Sequence, residues 1–294
     1  MASLKEIRRR ISSVKSTRQI TSAMKMVAAA RLRKAQDKIV KLRPYANKLH
    51  ELLIGISQAI EEPGDENIYS RTADKEKVLL IVVTSNRGLC GSFNANVIKE
   101  TMSLVEGKYS GQYKDHDLWI MTIGKKAYDF FRKREFQIYQ DNSELFDDLT
   151  FQNCSDLAGQ VMDDFLEGKF DRVEFVYNSF RNAAVQDLSY ETFLPLETEE
   201  ETGEAPPGDY IFEPGREEII KELIPKTLRI QFYRTILDSY VAEHGARMTA
   251  MHMATDNATG LIRDLNLEYN KARQASITNQ ILEVVNGAEA LRGR

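Results

Sequence analysis

The sequence predicts two long terminal helices that pair as an antiparallel coiled coil and, between them, an α/β body built on a mainly parallel sheet. Three observations predict it. Stepping every 3.5 positions from Leu4 selects Leu4, Ile7, Ile11, Val14, Arg18, Thr21, Lys25, Ala28, Leu32, Ala35, Ile39 and Leu42, an apolar seam softened by polar groups in its middle. The same step near the other end selects Leu237, Val241, His244, Met248, Met251, Thr255, Ala258, Ile262, Leu265, Tyr269 and Ala272, again softened near the middle. Between the seams, short β-branched runs alternate with helical patterns, the signature of parallel strands joined by helices. A narrow seam cannot be buried by one helix alone, so the two pair with each other, the softened stretches Thr21 to Lys25 and Thr249 to Thr255 facing one another.

Taken in order, the first helix starts at the capping residue Ser3 and runs towards Glu61, with Pro44 as its one expected kink. Residues 62–74, with Pro63, Gly64 and Asp65, read as a linker. The run Val78 to Val83 is a strand buried on both faces, followed by a turn from Thr84 to Ser92 and a helix from Asn94 to Val105. Leu118 to Ile123 is a second buried strand, followed by a helical pattern around Ala127 to Arg132. Phe136 to Tyr139 is a third, shorter strand. Ser155 is expected to cap a helix over Leu157 to Leu166, and Arg172 to Tyr177 is a fourth strand. Ser189 to Leu196 reads as an edge strand stopped by Pro195. An acidic Gly/Pro loop with a short strand at Tyr210 to Pro214 leads to the last helix, whose Gly245, Gly260 and Gly287 each cost about 1 kcal/mol relative to alanine without breaking it. The resulting division is 1–61 (N-terminal coiled-coil helix), 75–196 (Rossmann-like α/β body), 197–215 (acidic linker) and 216–294 (C-terminal coiled-coil helix).

With 294 residues and 42% apolar content the chain is long enough for two domains and a sizeable core. No run of about 18 apolar residues suggests a transmembrane helix, and the start lacks the apolar stretch of a secretory signal. Cys90 and Cys154 lack metal-ligand spacing and read as buried thiols in a reducing compartment. The net charge of −4 hides an asymmetry: from Met1 to Arg43 thirteen lysines and arginines stand against Glu6 and Asp37, and the compensating acid lies in the middle of the chain. Such a helix fits a nucleic-acid contact, a membrane surface, or a rod inside an acidic protein collar. The basic residues share their helix with the seam instead of preceding it, and the acidic body repels phosphate, which disfavours nucleic acid. The absence of Trp or Phe anchors on the first helix disfavours a membrane surface.

The turn from Ser85 to Ser92 lies where a nucleotide phosphate binds in other α/β folds, but no Lys follows its second glycine and the three-glycine dinucleotide pattern is absent. His244 and His252, eight apart, are too distant on one helix to share a metal. No catalytic constellation emerges, and no cofactor is expected.

The stretches Ile7 to Val14, Ile20 to Ala30, Thr84 to Asn96, Ala246 to Met251, Ala254 to Ala258, Tyr269 to Thr278 and Gly287 to Ala290 resemble the gamma subunit of bacterial F-type ATP synthase. The resemblance spans nearly the full length and departs at one visible position, Gln280, where the family pattern has Glu two residues after the Thr of an Ile-Thr pair. It implies a single-copy, non-catalytic rotor. In the family, the paired helices turn inside a ring of alpha and beta subunits, above an epsilon subunit and a membrane ring of c subunits. The resemblance thus places the chain at the cytoplasmic side of the bacterial inner membrane, coupled to a proton or sodium flow. Contact candidates for the collar, from the basic stripe and the matching motifs, are Arg8, Arg9, Lys15, Met24, Lys25, Arg31, Arg33, Arg247, Asp256, Asn257, Arg273, Gln274, Thr278 and Gln280.

Overall fold

A computed structural model describes residues 4–58, 69, 77–196 and 216–292. The predicted Ser3 cap, the 62–74 linker apart from Tyr69, and the acidic loop with its short strand lie outside the described residues. The chain divides into two compact units, residues 1–28 with 248–294, and residues 29–247. Helix α1 (Leu4–Gln58) and helix α6 (Arg216–Arg292) each contribute to both. Pro44 and Pro225 both lie inside these helices instead of ending them.

In the first unit α1 and α6 run antiparallel: Arg8 meets Tyr269, Thr21 meets Thr255 and Lys25 meets His252. Ile7 and Ile11 pack with Leu265 in one apolar cluster, flanked by Val14, Tyr269 and Ala272. Every predicted seam position is buried or half-buried; over 4–42 and 251–272 the positions between them are mostly exposed, whereas over 237–250 α6 is buried or half-buried all round. That contrast is what a seam of period 3.5 produces when two helices share it.

The second unit holds a five-stranded sheet ordered β3-β2-β1-β4-β5, made of β1 (Val78–Val83), β2 (Leu118–Ile123), β3 (Ile138–Asp141), β4 (Arg172–Phe180) and β5 (Gln186–Leu194). The first four strands are mutually parallel, and β5 returns antiparallel along β4 as an edge. β1 lies in the middle and is buried along its whole length, which explains its unbroken apolar run. On one face Val78, Leu80 and Val82 pack with Val97 and Val105 of α2 (Phe93–Glu106) and, beyond α3 (Ser110–Lys114), with Ala127 and Phe131 of α4 (Lys125–Arg132). On the other face Phe175, Phe193 and Phe232 of α6 meet edge to face at 5.1–5.6 Å, so the long helix is anchored into the sheet.

Several boundaries differ from the sequence reading, among them the end of β4, which runs three residues past Tyr177 to Phe180, and the end of β5, at Leu194 instead of Leu196. Helix α5 (Phe151–Leu166) begins a turn early, because Thr150 is its cap and accepts a hydrogen bond from the Asn153 amide at 3.3 Å; Ser155 is buried inside the helix. β3 lies two residues later than expected, across an irregularity in its pairing with β2. β5 starts three residues early, because the whole β4–β5 hairpin pairs as far as Phe180 and Gln186. α3 and a 3-10 turn at Ser143–Phe146 carry too few residues for a periodic signal and were not foreseen.

Candidate functional site

In the paired helices the softened middle of the seam is a polar layer. The Thr21 and Thr255 hydroxyl oxygens lie 2.8 Å apart, and each hydroxyl is also within reach of a backbone carbonyl of its own helix, Arg18 or Met251. One turn on, Lys25 Nζ lies 3.3 Å from His252 Nδ1, which also lies 3.4 Å from Asp256 Oδ2. The two contacts are alternatives: Nδ1 without a hydrogen accepts from Lys25, and Nδ1–H donates to Asp256. Nearer the start of α1, Arg8 donates to the Tyr269 hydroxyl at 2.5 Å while its guanidinium sits 5.5 Å from the centre of the same ring.

The threonine pair yields a direct test. Thr21→Val or Thr255→Val alone is expected to cost about 1 kcal/mol, because the remaining hydroxyl loses its partner across the seam and keeps only the carbonyl of its own helix, while the double variant returns close to wild type because both polar groups are gone. A double-mutant cycle from urea denaturation checks this, and additive losses would show that the hydroxyls do not interact.

Of the collar-contact candidates, Arg8, Arg9, Lys15, Arg31, Arg33, Asp256, Asn257, Arg273, Gln274, Thr278 and Gln280 are exposed, and Met24 and Lys25 half-buried. Thr278 donates back to the Gln274 carbonyl at 3.0 Å. Arg247 differs from the others. Its guanidinium is bonded to Glu243, one turn earlier on α6, and to the backbone carbonyls of Arg87 at 2.9 Å and Gly88 at 3.4 Å. Its side chain is 11% exposed, so it is committed to this chain's own turn after β1.

That turn is held by side chains. Asn94 accepts from the Ser85 amide at 2.9 Å, and the Ser85 hydroxyl donates to the Arg87 carbonyl at 2.6 Å. Ser92, at the start of α2, makes no capping bond. Leu89 at the tip has a positive φ of 66° and is exposed. Beside it Cys90 and Phe93 pack against Ala242 and Ala246 of α6. A Cβ on Gly245 would sit 3.2 Å from both the Ala183 Cα and a Phe180 ring carbon, so this glycine permits a close approach that its helix propensity alone could not reveal.

Around Glu243 the charge is dense. Burial raises the Glu243 carboxyl above its ordinary range, against the opposing pull of Arg247 and Arg31. Burial, then Arg247 and Arg31, push the His244 imidazole down to about 3. Sequence spacing could place His244 on the seam but could not show these neighbours, which come from α1 and from within α6.

A family model described as ATP synthase matches residues 3–291 of this chain. The ATP synthase gamma chain of Flavobacterium johnsoniae is 53% identical to it over 294 residues, covering all of both chains. That of Christiangramia forsetii is 50% identical, again covering both chains fully. Among solved structures, a chain of the Euglena gracilis mitochondrial ATP synthase OSCP/F1/c-ring assembly superposes with a TM-score of 0.67 at 20% identity, covering 98% of this chain and 94% of that one. A chain of the Tetrahymena thermophila mitochondrial ATP synthase central stalk and c-ring gives 0.57 at 20% identity, covering 80% and 99%. These two likenesses are of fold, and the close relatives carry the assignment: the chain belongs to the ATP synthase gamma chain family.

Proposed function

We propose that this chain is the turning shaft of an ATP synthase. It carries rotation between a membrane ring of c subunits and a collar of alpha and beta subunits, with an epsilon subunit beside its α/β body, and does no chemistry itself. The observation that carries the reading, beside family membership, is the antiparallel helix pair. Its seam is consumed internally, and its outward face on α1 is cationic, with Arg9, Lys15 and Lys5 all exposed. A shaft in an acidic collar needs long-range attraction without a deep minimum at one angle, since a tight specific contact would trap it there. Diffuse positive charge on exposed side chains meets that need. Among the described residues no helix is long and apolar enough to cross a membrane. The reading therefore places the chain peripherally, at the cytoplasmic face of a bacterial inner membrane, through its partners.

Reconstitution tests the reading. Vesicles bearing the complete complex should pump ions on addition of ATP, and complexes assembled without this chain should not. Within that assay Arg9→Ala, Lys15→Ala and Arg33→Ala should each leave pumping nearly unchanged, because an exposed pair is worth about 0–1 kcal/mol. The triple variant should pump distinctly less, with the deficit growing as salt falls, where attraction between exposed charges matters most. One substitution that abolished pumping alone would point to a specific contact in place of a diffuse one.

A further inference from the structure

We propose that Arg247 is a positioning residue, a key that fixes the turn after β1 to α6 so that the α/β body and the helix rotate as one piece. The inference rests on the shaft reading above. Where α6 meets this turn, its surface is made of Ala242 and Ala246. Small residues allow a close approach, but a smooth face offers little resistance to a helix turning about its own axis under load. The guanidinium supplies the missing resistance. It bonds Glu243 on its own helix and reaches two successive carbonyls of the turn, Arg87 and Gly88, and its planar fork holds those groups in a fixed relation. The carbonyl of Arg87 also accepts from the Ser85 hydroxyl, so the turn is held from both sides. The next residue, Leu89, keeps a left-handed backbone at an exposed tip, a conformation that a branched side chain retains only where its surroundings over-determine it.

The chain's own thiols report on this. Cys90 is 1% exposed and sits in the keyed turn against α6, whereas Cys154 is fully buried in α5. In the full chain, Arg247→Ala should raise the rate of Cys90 labelling by a small maleimide roughly tenfold, as the turn opens locally more often, while Cys154 stays unreactive. In reconstituted vesicles the same variant should lower the ions moved per ATP hydrolysed by roughly half, because torque leaks through a looser joint. Arg247→Lys, which keeps the charge and loses the fork, should fall between the two for both readouts. If Arg247→Ala exposes both thiols it has loosened the whole unit, and the Lys variant then decides by the same criteria. Unchanged Cys90 labelling overturns the key. So does faster Cys90 labelling with unchanged coupling, or lost coupling with unchanged labelling, which would make Arg247 a direct contact of the collar. Failure of wild-type chain to support pumping would instead sink the shaft reading, while the labelling arm would still test the joint.

Discussion

Gly124→Ala is expected to destabilise the α/β body by about 3–5 kcal/mol, the largest effect of any single methyl group considered for this chain. Gly124 starts α4 directly after β2 with φ at 110°, where L residues pay a conformational penalty. A Cβ there would lie 2.0 Å from the Thr84 carbonyl oxygen and 2.6 Å from its carbon, both backbone atoms that cannot swing aside. The same threonine ties the junction together. Its amide donates to the Ile123 carbonyl at 2.8 Å, its hydroxyl donates to the Gly124 carbonyl at 3.2 Å, and the hydroxyl oxygen accepts from the Ala127 amide at 2.9 Å. Relieving the clash means pulling β1 from β2 at the point where both end. Gly91→Ala is the control: its φ of 62° is also left-handed but nothing lies within 4 Å of the added methyl, so only the conformational cost of about 1 kcal/mol should appear. Urea denaturation of the two variants checks the contrast. Equal midpoints would mean that the junction relaxes around the methyl.

Gly124 also marks where the sequence stops being informative. The seams of α1 and α6 were legible because a coiled coil buries a set of positions fixed by helical period alone, and Ile7, Thr21, Ala28, Leu32, Met251 and Leu265 are all buried as that period requires. The central strand was legible for a similar reason: burial on both faces forces an unbroken apolar run. The antiparallel return of β5 was not, because an edge strand half open to water can pair in either direction with the same alternation. The start of α5 was misplaced because Thr150 and Ser155 are both good caps, and the choice between them depends on where the chain leaves the 3-10 turn. For most of the collar-contact candidates, exposure follows from their places off the seam. The commitment of Arg247 to Arg87 and Gly88, 160 and 159 residues away, was not legible, since no local pattern encodes a side chain's bond to a distant carbonyl. Gly245 carries the same lesson in reverse. It registers in the sequence as a weak point of a helix, and in the fold as a place where helix and hairpin touch.

As pH drops from about 6.5 to 5, His244 is expected to withdraw about 2 kcal/mol of stability from the folded chain. The imidazole is 2% exposed, meets the Tyr240 ring edge-on at 4.4 Å, and among the described residues neither of its nitrogens has a hydrogen-bond partner. Burial is the main cause of its low proton affinity, with the cations Arg247 and Arg31 adding to it. In the unfolded chain the ring takes a proton near pH 6.5, and in the folded chain it refuses one until about pH 3. Between those values the unfolded state binds more protons, so stability rises with pH through that window and is lost on acidification. Glu243 and Asp238 act in the opposite sense. Burial raises both, so the folded state takes their protons first and acid favours it. A raw pH profile therefore mixes the two, and a difference between variants separates them. His244→Met removes the titrating ring and both unpartnered nitrogens at similar volume, so it should be at least as stable as wild type at pH 7. Its advantage should then widen by about 2 kcal/mol at pH 5, read as a difference in urea midpoints at the two pH values. An advantage that stays constant would mean that the ring already carries its proton, or meets water, inside the fold.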